Sequence, residues 1–526
     1  MRRQLSMLDL AMFVLESPER PFGVGPLVVL RPPEGARKGF ADRLVKRMLA
    51  HKPRPPFNMR LALSLSQAPG LEEVKDADAS SQVRRVTLDG DGSMADLLAK
   101  VGELQATLID RGGLLWEFYV IDGLADGRIA LYGKIHHGIV DGRTVVQMMT
   151  HWFSTDPKDR EVRAMWQGVP ARSEPPAADK RRGVAGAALR TASGALRSTA
   201  SLSRLLSAQG LRSLGLNSSA MALPFVGVPR VLTGKVSARR NHAFMTLPLG
   251  EMKALGKAAN ASVNDMLLAV LDGALARYLG SGSKRPRKPL VVDMPVALPS
   301  AGGGNMIAVL QLPMGRSRAT VRERISSIVE ETARVKAAAK NVPPETLMLY
   351  TALVHGVPTV LERLGMAQPL LLSNLVFSNP FGFSGRQFLM GAEVEMVMPL
   401  SLLAAGQTLN VTVVTLGDNL QIGFLGMPGA VDDIQRLAAL TREAFDELKA
   451  ELGPVAPSAR LAGPAAAVHG TRRGTAPRKA TAPRKATGRA TQNAPGRKRT
   501  AAAAPRTPTP RAVPAAKRGR RSSAAA

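Results

Sequence analysis

The residues with the clearest chemical potential are the run His136-His137-Gly138-Ile139-Val140-Asp141-Gly142. Moving an acyl group onto a hydroxyl needs a base that is neutral at about pH 7, and an imidazole suits that task. His137 is the candidate base. His136 and Asp141 are candidate supports, because a carboxylate four residues on can anchor the turn and orient the imidazole through a basic side chain. Gly142 allows a sharp exit from that turn. Two plainer readings compete. Adjacent histidines at a strand end also arise from packing alone, and histidines also ligate metals. No third His or second acid stands at ligand spacing, so no metal and no cofactor is expected. The chain has no Cys, which excludes disulfides, thiolate catalysis and Cys-ligated zinc.

The motif must be held by a strand before it and a helix after it. Phe118 to Ile121 and Ile129 to Ile135 read as strands around a Gly- and Asp-rich turn, and Thr144 to Phe153 reads as a short helix. Upstream, Ala41 to Ala50 and Met94 to Ile109 carry helical apolar spacing. A second mixed block follows. Val263 to Leu279, Val321 to Lys340 and Asp432 to Leu452 predict helices, and Leu290 to Leu298 and Leu370 to Phe377 predict strands. Leu409 to Thr415 and Leu420 to Leu425 predict a hairpin turning at Gly417-Asp418-Asn419. This gives an α/β (α+β) chain with a first domain over 1–179, a linker over 180–250, a second domain over 251–453 and a tail over 454–526.

The formal net charge of +30 belongs to the appendages and not to the two blocks. Residues 180–250 hold eleven Lys and Arg and no acid, and the tail is rich in Ala, Pro, Lys and Arg, also without acid. In the linker Arg190, Arg197 and Arg204 recur every seven residues among Leu189, Leu196, Leu205 and Leu206. A helix in that register presents a basic and an apolar face, fit for an anionic membrane; a solvated connector fits the glycines equally well. The tail repeats Thr-Ala-Pro-Arg-Lys-Ala, placing Arg478, Lys479, Arg484 and Lys485, and predicts a disordered segment that binds polyanions such as nucleic acid or anionic lipid without reading sequence. No stretch reads as a membrane span. The N-terminal apolar run is interrupted by Asp9 and ended by Glu16, so a cytoplasmic start is expected.

The histidine motif resembles the HHxxxDG signature of acyl-CoA-dependent acyltransferases. The surrounding residues resemble one family within them, the wax ester synthase/diacylglycerol acyltransferase family. Leu5-Ser-Met-Leu-Asp9-Leu-Ala-Met-Phe13-Val-Leu-Glu16 is similar to its opening segment. Leu114-Leu-Trp116-Glu117 is similar to its Pro-Leu-Trp-Glu segment, and Val263-Asn264-Asp265 to its Asn-Asp motif. The chain departs from the family at Leu114, at Ala297 to Gly304 and at Ser378-Asn379-Pro380-Phe381-Gly382. The resemblance implies two chloramphenicol-acetyltransferase-like sandwich domains with a tunnel at their interface. It implies acyl-CoA as co-substrate, diacylglycerol or a long-chain alcohol as acceptor, and a seat at the inner membrane face or lipid droplets. Trp116, Asn264 and Asp265 become candidates for the tunnel, with capping of a helix as the alternative for Asn264 and Asp265. Two other functions stay open: a non-catalytic lipid-droplet or nucleoid tether, and transfer to a polyketide or glycolipid hydroxyl.

Overall fold

The computed structural model describes residues 2–453 except 37, 64–67, 141, 169–183, 219–220, 281–285, 299–306, 316–318, 367–369 and 381. The expectations for Asp141 and for Arg478, Lys479, Arg484 and Lys485 lie outside the described residues. In chain order the first half runs β1 (Arg2–Gln4), α1 (Met7–Leu15), β2 (Gly23–Arg31), α2 (Phe40–Leu49), β3 (Met59–Ala62), β4 (Gly70–Glu73), β5 (Val83–Thr87), α3 (Met94–Gln105), β6 (Trp116–Asp122), β7 (Ile129–His136) and α4 (Gly142–Trp152). A long helix, α5 (Val184–Ser213), precedes β8 (Asn241–Pro248), α6 (Leu249–Ala258), α7 (Val263–Tyr278), β9 (Val291–Ala297) and β10 (Ile307–Pro313). Then come α8 (Val321–Lys340), α9 (Pro344–Arg363), β11 (Leu375–Ser378), β12 (Phe388–Leu389), β13 (Ala392–Leu400), β14 (Leu409–Leu416), β15 (Asn419–Gly426) and α10 (Ile434–Leu452).

Two six-stranded sheets organise these elements, in the orders β12-β13-β2-β7-β6-β5 and β10-β9-β11-β14-β15-β8; β1, β4 and β3 form a small third sheet. Every residue of β7 is buried, as expected of a strand in the middle of a sheet covered on both faces. The second sheet carries α7, buried over most of its length between the strands and the apolar stripes of α8 and α10.

Local chemistry sets the helix starts. Ser6 with Asp9, Ser93 with Asp96, Ser262 with Asp265 and Thr320 with Glu323 all form reciprocal capping boxes. The expected hairpin turns where Gly417 adopts φ +58°, a conformation that Cβ-bearing residues avoid.

Three sequence boundaries move. The linker does not extend to 250, because Asn241–Pro248 is the edge strand of the second sheet and α6 begins at Leu249. The strand expected over Leu370 to Phe377 begins only at Leu375. Residues of the second block also complete the first sheet: β13 pairs antiparallel with β2 from Glu393 opposite Arg31 to Leu400 opposite Gly25. The Gln421 side chain of β15 then bonds to β13 at Val397 N–H (2.5 Å) and Glu395 carbonyl (3.0 Å), tying the two sheets together.

Candidate active site

The histidine motif sits where β7 ends, and the two rings have different fates. His136 is the last residue of the strand and is fully buried. Its Nδ1 accepts the Gly138 N–H at 3.0 Å, so the ring proton resides on Nε2. That nitrogen lies 3.3 Å from Glu16 Oε2. The Phe13 ring stacks on the imidazole at 4.0 Å between centroids and 9° between planes. A Cβ at position 138 would come within 2.4 Å of Phe13 Cε2, so the Gly of the motif makes room for that stack.

Glu16 connects this buried ring to its surroundings. It accepts the Phe22 N–H at 2.7 Å and the Arg111 guanidinium at 2.8 Å. Burial pushes its carboxyl upward, but contact with His136 and the bonds from Phe22 and Arg111 outweigh that and hold it below the usual carboxylate range. A charged carboxylate therefore fixes the orientation of His136.

His137 begins the turn after β7 and is only partly buried. Its N–H donates to the Phe22 carbonyl at 3.0 Å. Phe22 thus holds the backbone of His137 with one amide group and the Glu16 carboxylate with the other. His136 sets the turn from inside, and His137 is the member of the pair with access to solvent.

The segment from Glu16 to Phe22 is itself clamped. Ser17 and Arg20 exchange backbone bonds in a tight bridge. Arg20, 2% exposed, donates to Glu362 of α9 at 2.6 and 2.9 Å and to the Gln407 carbonyl at 2.9 Å. The Gln407 side chain continues inward to Asp293 at 2.9 Å, which also accepts from Gln311 and Ser373 and lies 3.6 Å from His355. A polar chain therefore runs from the histidine turn into the second sheet.

The other candidate residues separate. Trp116 does not line a tunnel: it is wholly buried, its indole N–H donates to the Phe57 carbonyl at 2.8 Å, and it stacks on Trp166. Asp265 belongs to the capping box of α7, whose cap is Ser262 and not Asn264. Asn264 instead accepts from Asn379 Nδ2 at 2.7 Å, joining the start of α7 to the segment after β11. Gly142 opens α4. Of the linker arginines, the side chains of Arg190 and Arg197 lie outside the described residues, and Arg204 is exposed. Leu205, expected at a lipid face, is buried in the second core, and Gln209 donates to the Tyr350 hydroxyl at 3.1 Å. The end of α5 is thus packed against α9. Among the described residues no cluster of three or more acidic or His side chains could hold a metal, and no helix is long and apolar enough to cross a membrane.

Sequence reasoning missed Glu16, Phe13 and Arg111 as parts of the site. Glu16 had a signal, an acid closing an apolar helix, but its partner stands 120 residues away.

Comparison with known proteins adds the following. Residues 5–267 match the family model of the wax ester synthase/diacylglycerol acyltransferase catalytic domain, and residues 303–449 match that of the corresponding C-terminal domain. A Mycobacterium tuberculosis protein named a probable diacylglycerol O-acyltransferase is 30% identical over 470 residues, covering 86% of this chain and 98% of its own. A second from that organism, with the same description, is 30% identical over 471 residues, covering 85% and 99%. The solved wax ester synthase/diacylglycerol acyltransferase of Marinobacter aquaeolei superposes with a TM-score of 0.65 at 24% identity, over 86% of this chain and all of that one. The first condensation domain of a calcium-dependent antibiotic synthetase shares the fold at a TM-score of 0.50 and 17% identity, over 87% of this chain and 98% of that one.

Proposed function

The chain belongs to the wax ester synthase/diacylglycerol acyltransferase family, and from that premise we propose that His137 is the general base of its reaction. The reaction is acyl-CoA-dependent O-acyl transfer. The observation that supports the assignment is the asymmetry of the histidine pair. His136 is enclosed by Phe13, Glu16 and Gly138, while His137 keeps solvent access on a turn pinned through Phe22.

In the proposed step, His137 takes the hydroxyl proton as the alcohol oxygen attacks the thioester carbonyl. The tetrahedral oxyanion collapses with cleavage of the carbon–sulfur bond, and the imidazolium returns the proton to the CoA thiolate. Proton and charge balance without a cofactor. Asp141 is proposed to hold the turn, and Asn264, through its bond to Asn379, to shape the channel from the second domain. The proposed acceptor is the hydroxyl of diacylglycerol or a fatty alcohol, met at a membrane or droplet surface. Purified protein given labelled palmitoyl-CoA and a panel of alcohols tests this. Ester formation with dioleoylglycerol or hexadecanol is expected, and ester formed only with polyketide or glycolipid hydroxyls would overturn the acceptor assignment.

A further inference from the structure

Helix α9 presents opposite chemistry on its two faces. Leu353, Val357, Val360 and Leu364 are spaced by four, three and four residues, which at 100° per residue confines them to one narrow stripe. They are 47%, 41%, 57% and 67% exposed. Met366 and Leu370, in the chain just beyond, are exposed as well. The opposite face carries Thr351, His355 and Glu362. Thr351 accepts the Val309 N–H at 3.0 Å, His355 lies 3.6 Å from Asp293, and Glu362 grips Arg20 at 2.6 Å. A helix fixed so firmly inward does not leave four large aliphatics in water without a reason.

We propose that this stripe docks the enzyme onto the lipid surface that holds its acceptor, an inference that rests on the acyltransferase reading above. Three observations select lipid as the occupant. The first is charge. Arg363 at the end of the stripe and Arg204 on the neighbouring α5 are exposed, α5 has no acid in its thirty residues, and the α9 sequence between Glu345 and Glu362 is acid-free. Cations rimming an apolar strip match an anionic leaflet. A second copy is the competing occupant, and the oligomeric state read in the test below separates it from lipid. The second is composition. Residues 169–183 contain only Val169 as a large apolar residue, and residues 454–526 only Val455, Leu461, Val468 and Val513, so neither segment supplies a matching apolar cover. The third is position. Arg363 donates to the Val14 and Glu16 carbonyls of the strap that begins on α1, and Val14 is itself 53% exposed. The same α1 carries Phe13, which stacks on His136. The docking face is therefore one helix away from the histidine turn.

The test uses the full chain and phosphatidylcholine vesicles containing dioleoylglycerol, at high salt. At about 1 M salt the screening length falls to about 3 Å, which silences the basic linker and tail and isolates apolar insertion. The triple variant Leu353→Gln/Val360→Gln/Leu364→Gln changes only exposed positions. It should lose roughly a hundredfold or more in vesicle partitioning, and lose transfer to vesicle-borne diacylglycerol in step, while transfer to hexanol is unchanged. The chain has no native Cys. A dye on Leu364→Cys should therefore report burial on vesicle addition, and a dye on Glu443→Cys of α10 should not. Parent-like partitioning of the triple variant, or a parent dimer that the substitutions split without altering partitioning, would overturn the proposal. A parent inactive toward hexanol and all other alcohols counts against the acyltransferase reading alone, since partitioning and the dye still decide the surface.

Discussion

Glu16 Oε2 and His136 Nε2 stand 3.3 Å apart, with both side chains almost fully enclosed. The carboxylate that orients the first histidine of the motif thus comes from the end of α1. Through Phe22 the same residue is coupled to the backbone of His137. Glu16→Gln keeps the shape and removes the charge. It should lower kcat by about a hundredfold, the scale set by misplacing a catalytic group by an ångström, with little effect on KM for acyl-CoA. A Glu16→Gln variant with parental kcat would show that the contact is only structural.

Glu16 also makes a pH prediction. Its folded carboxyl titrates below the usual range. Its contribution to stability is therefore present above that range and is lost as pH falls through the lowered value. Thermal melting followed downward from about pH 6 should show an acid limb that is shallower in Glu16→Gln. Identical limbs would remove Glu16 as a contributor.

The Asp293–His355 pair predicts the opposite limb. Burial pushes His355 down, but the Asp293 carboxylate and the Thr351 carbonyl more than compensate, so its imidazole titrates above the usual value. Stability from the charged ring is complete below that value and is lost as pH rises through the raised one. His355→Gln should cost about 3 kcal/mol at about pH 6, as expected when a buried pair loses one member, and the gap to the parent should narrow at about pH 9. Denaturant titrations at the two pH values decide it; a gap that does not change with pH contradicts a charged His355.

Arg20 should behave as the bolt between the two halves of the polar chain. Arg20→Met leaves the Glu362 carboxylate without its partner and should cost about 3–5 kcal/mol. Arg20→Met/Glu362→Leu should recover most of that loss. If the double variant is no more stable than the single one, Arg20 acts mainly through the two carbonyls it also reaches, Leu403 at 3.4 Å and Gln407 at 2.9 Å.

Much of this was legible in the sequence because local rules sufficed. The strand–motif–helix arrangement, α7, α8, α10 and the hairpin at Gly417 all follow from spacing, caps and turn residues. The parts that were not legible depend on distant partners. β2 begins Gly-Val-Gly-Pro, a poor local strand signal, and is a strand because β7 and β13 flank it. β13 lies in the second block, yet it pairs into the first sheet. The linker arginines read as an amphipathic period, but Leu205 in that period faces the core, because α9 lies beneath it. Glu16 read as a charge ending an apolar run and Arg20 carried no signal of its own; their roles exist only once β7 and α9 are brought to them.

The basic tail is proposed to act apart from the chemistry. Removing residues 454–526 deletes seventeen Lys and Arg together with no acid. Transfer to dispersed substrates should be unchanged, and salt-sensitive binding to DNA or anionic vesicles should fall sharply. Gel-shift and vesicle assays across a salt series read this directly; full salt-sensitive binding by the truncated chain would assign the affinity elsewhere.

Single-turnover transfer from palmitoyl-CoA to dioleoylglycerol by His137→Ala reads the division of labour between the two histidines. The rate should be lower by roughly 10²–10⁴-fold with parental melting behaviour, whereas His136→Ala should lose stability along with activity as Phe13 and Glu16 lose their partner. A His137→Ala enzyme that transfers within a few-fold of the parent would contradict that division.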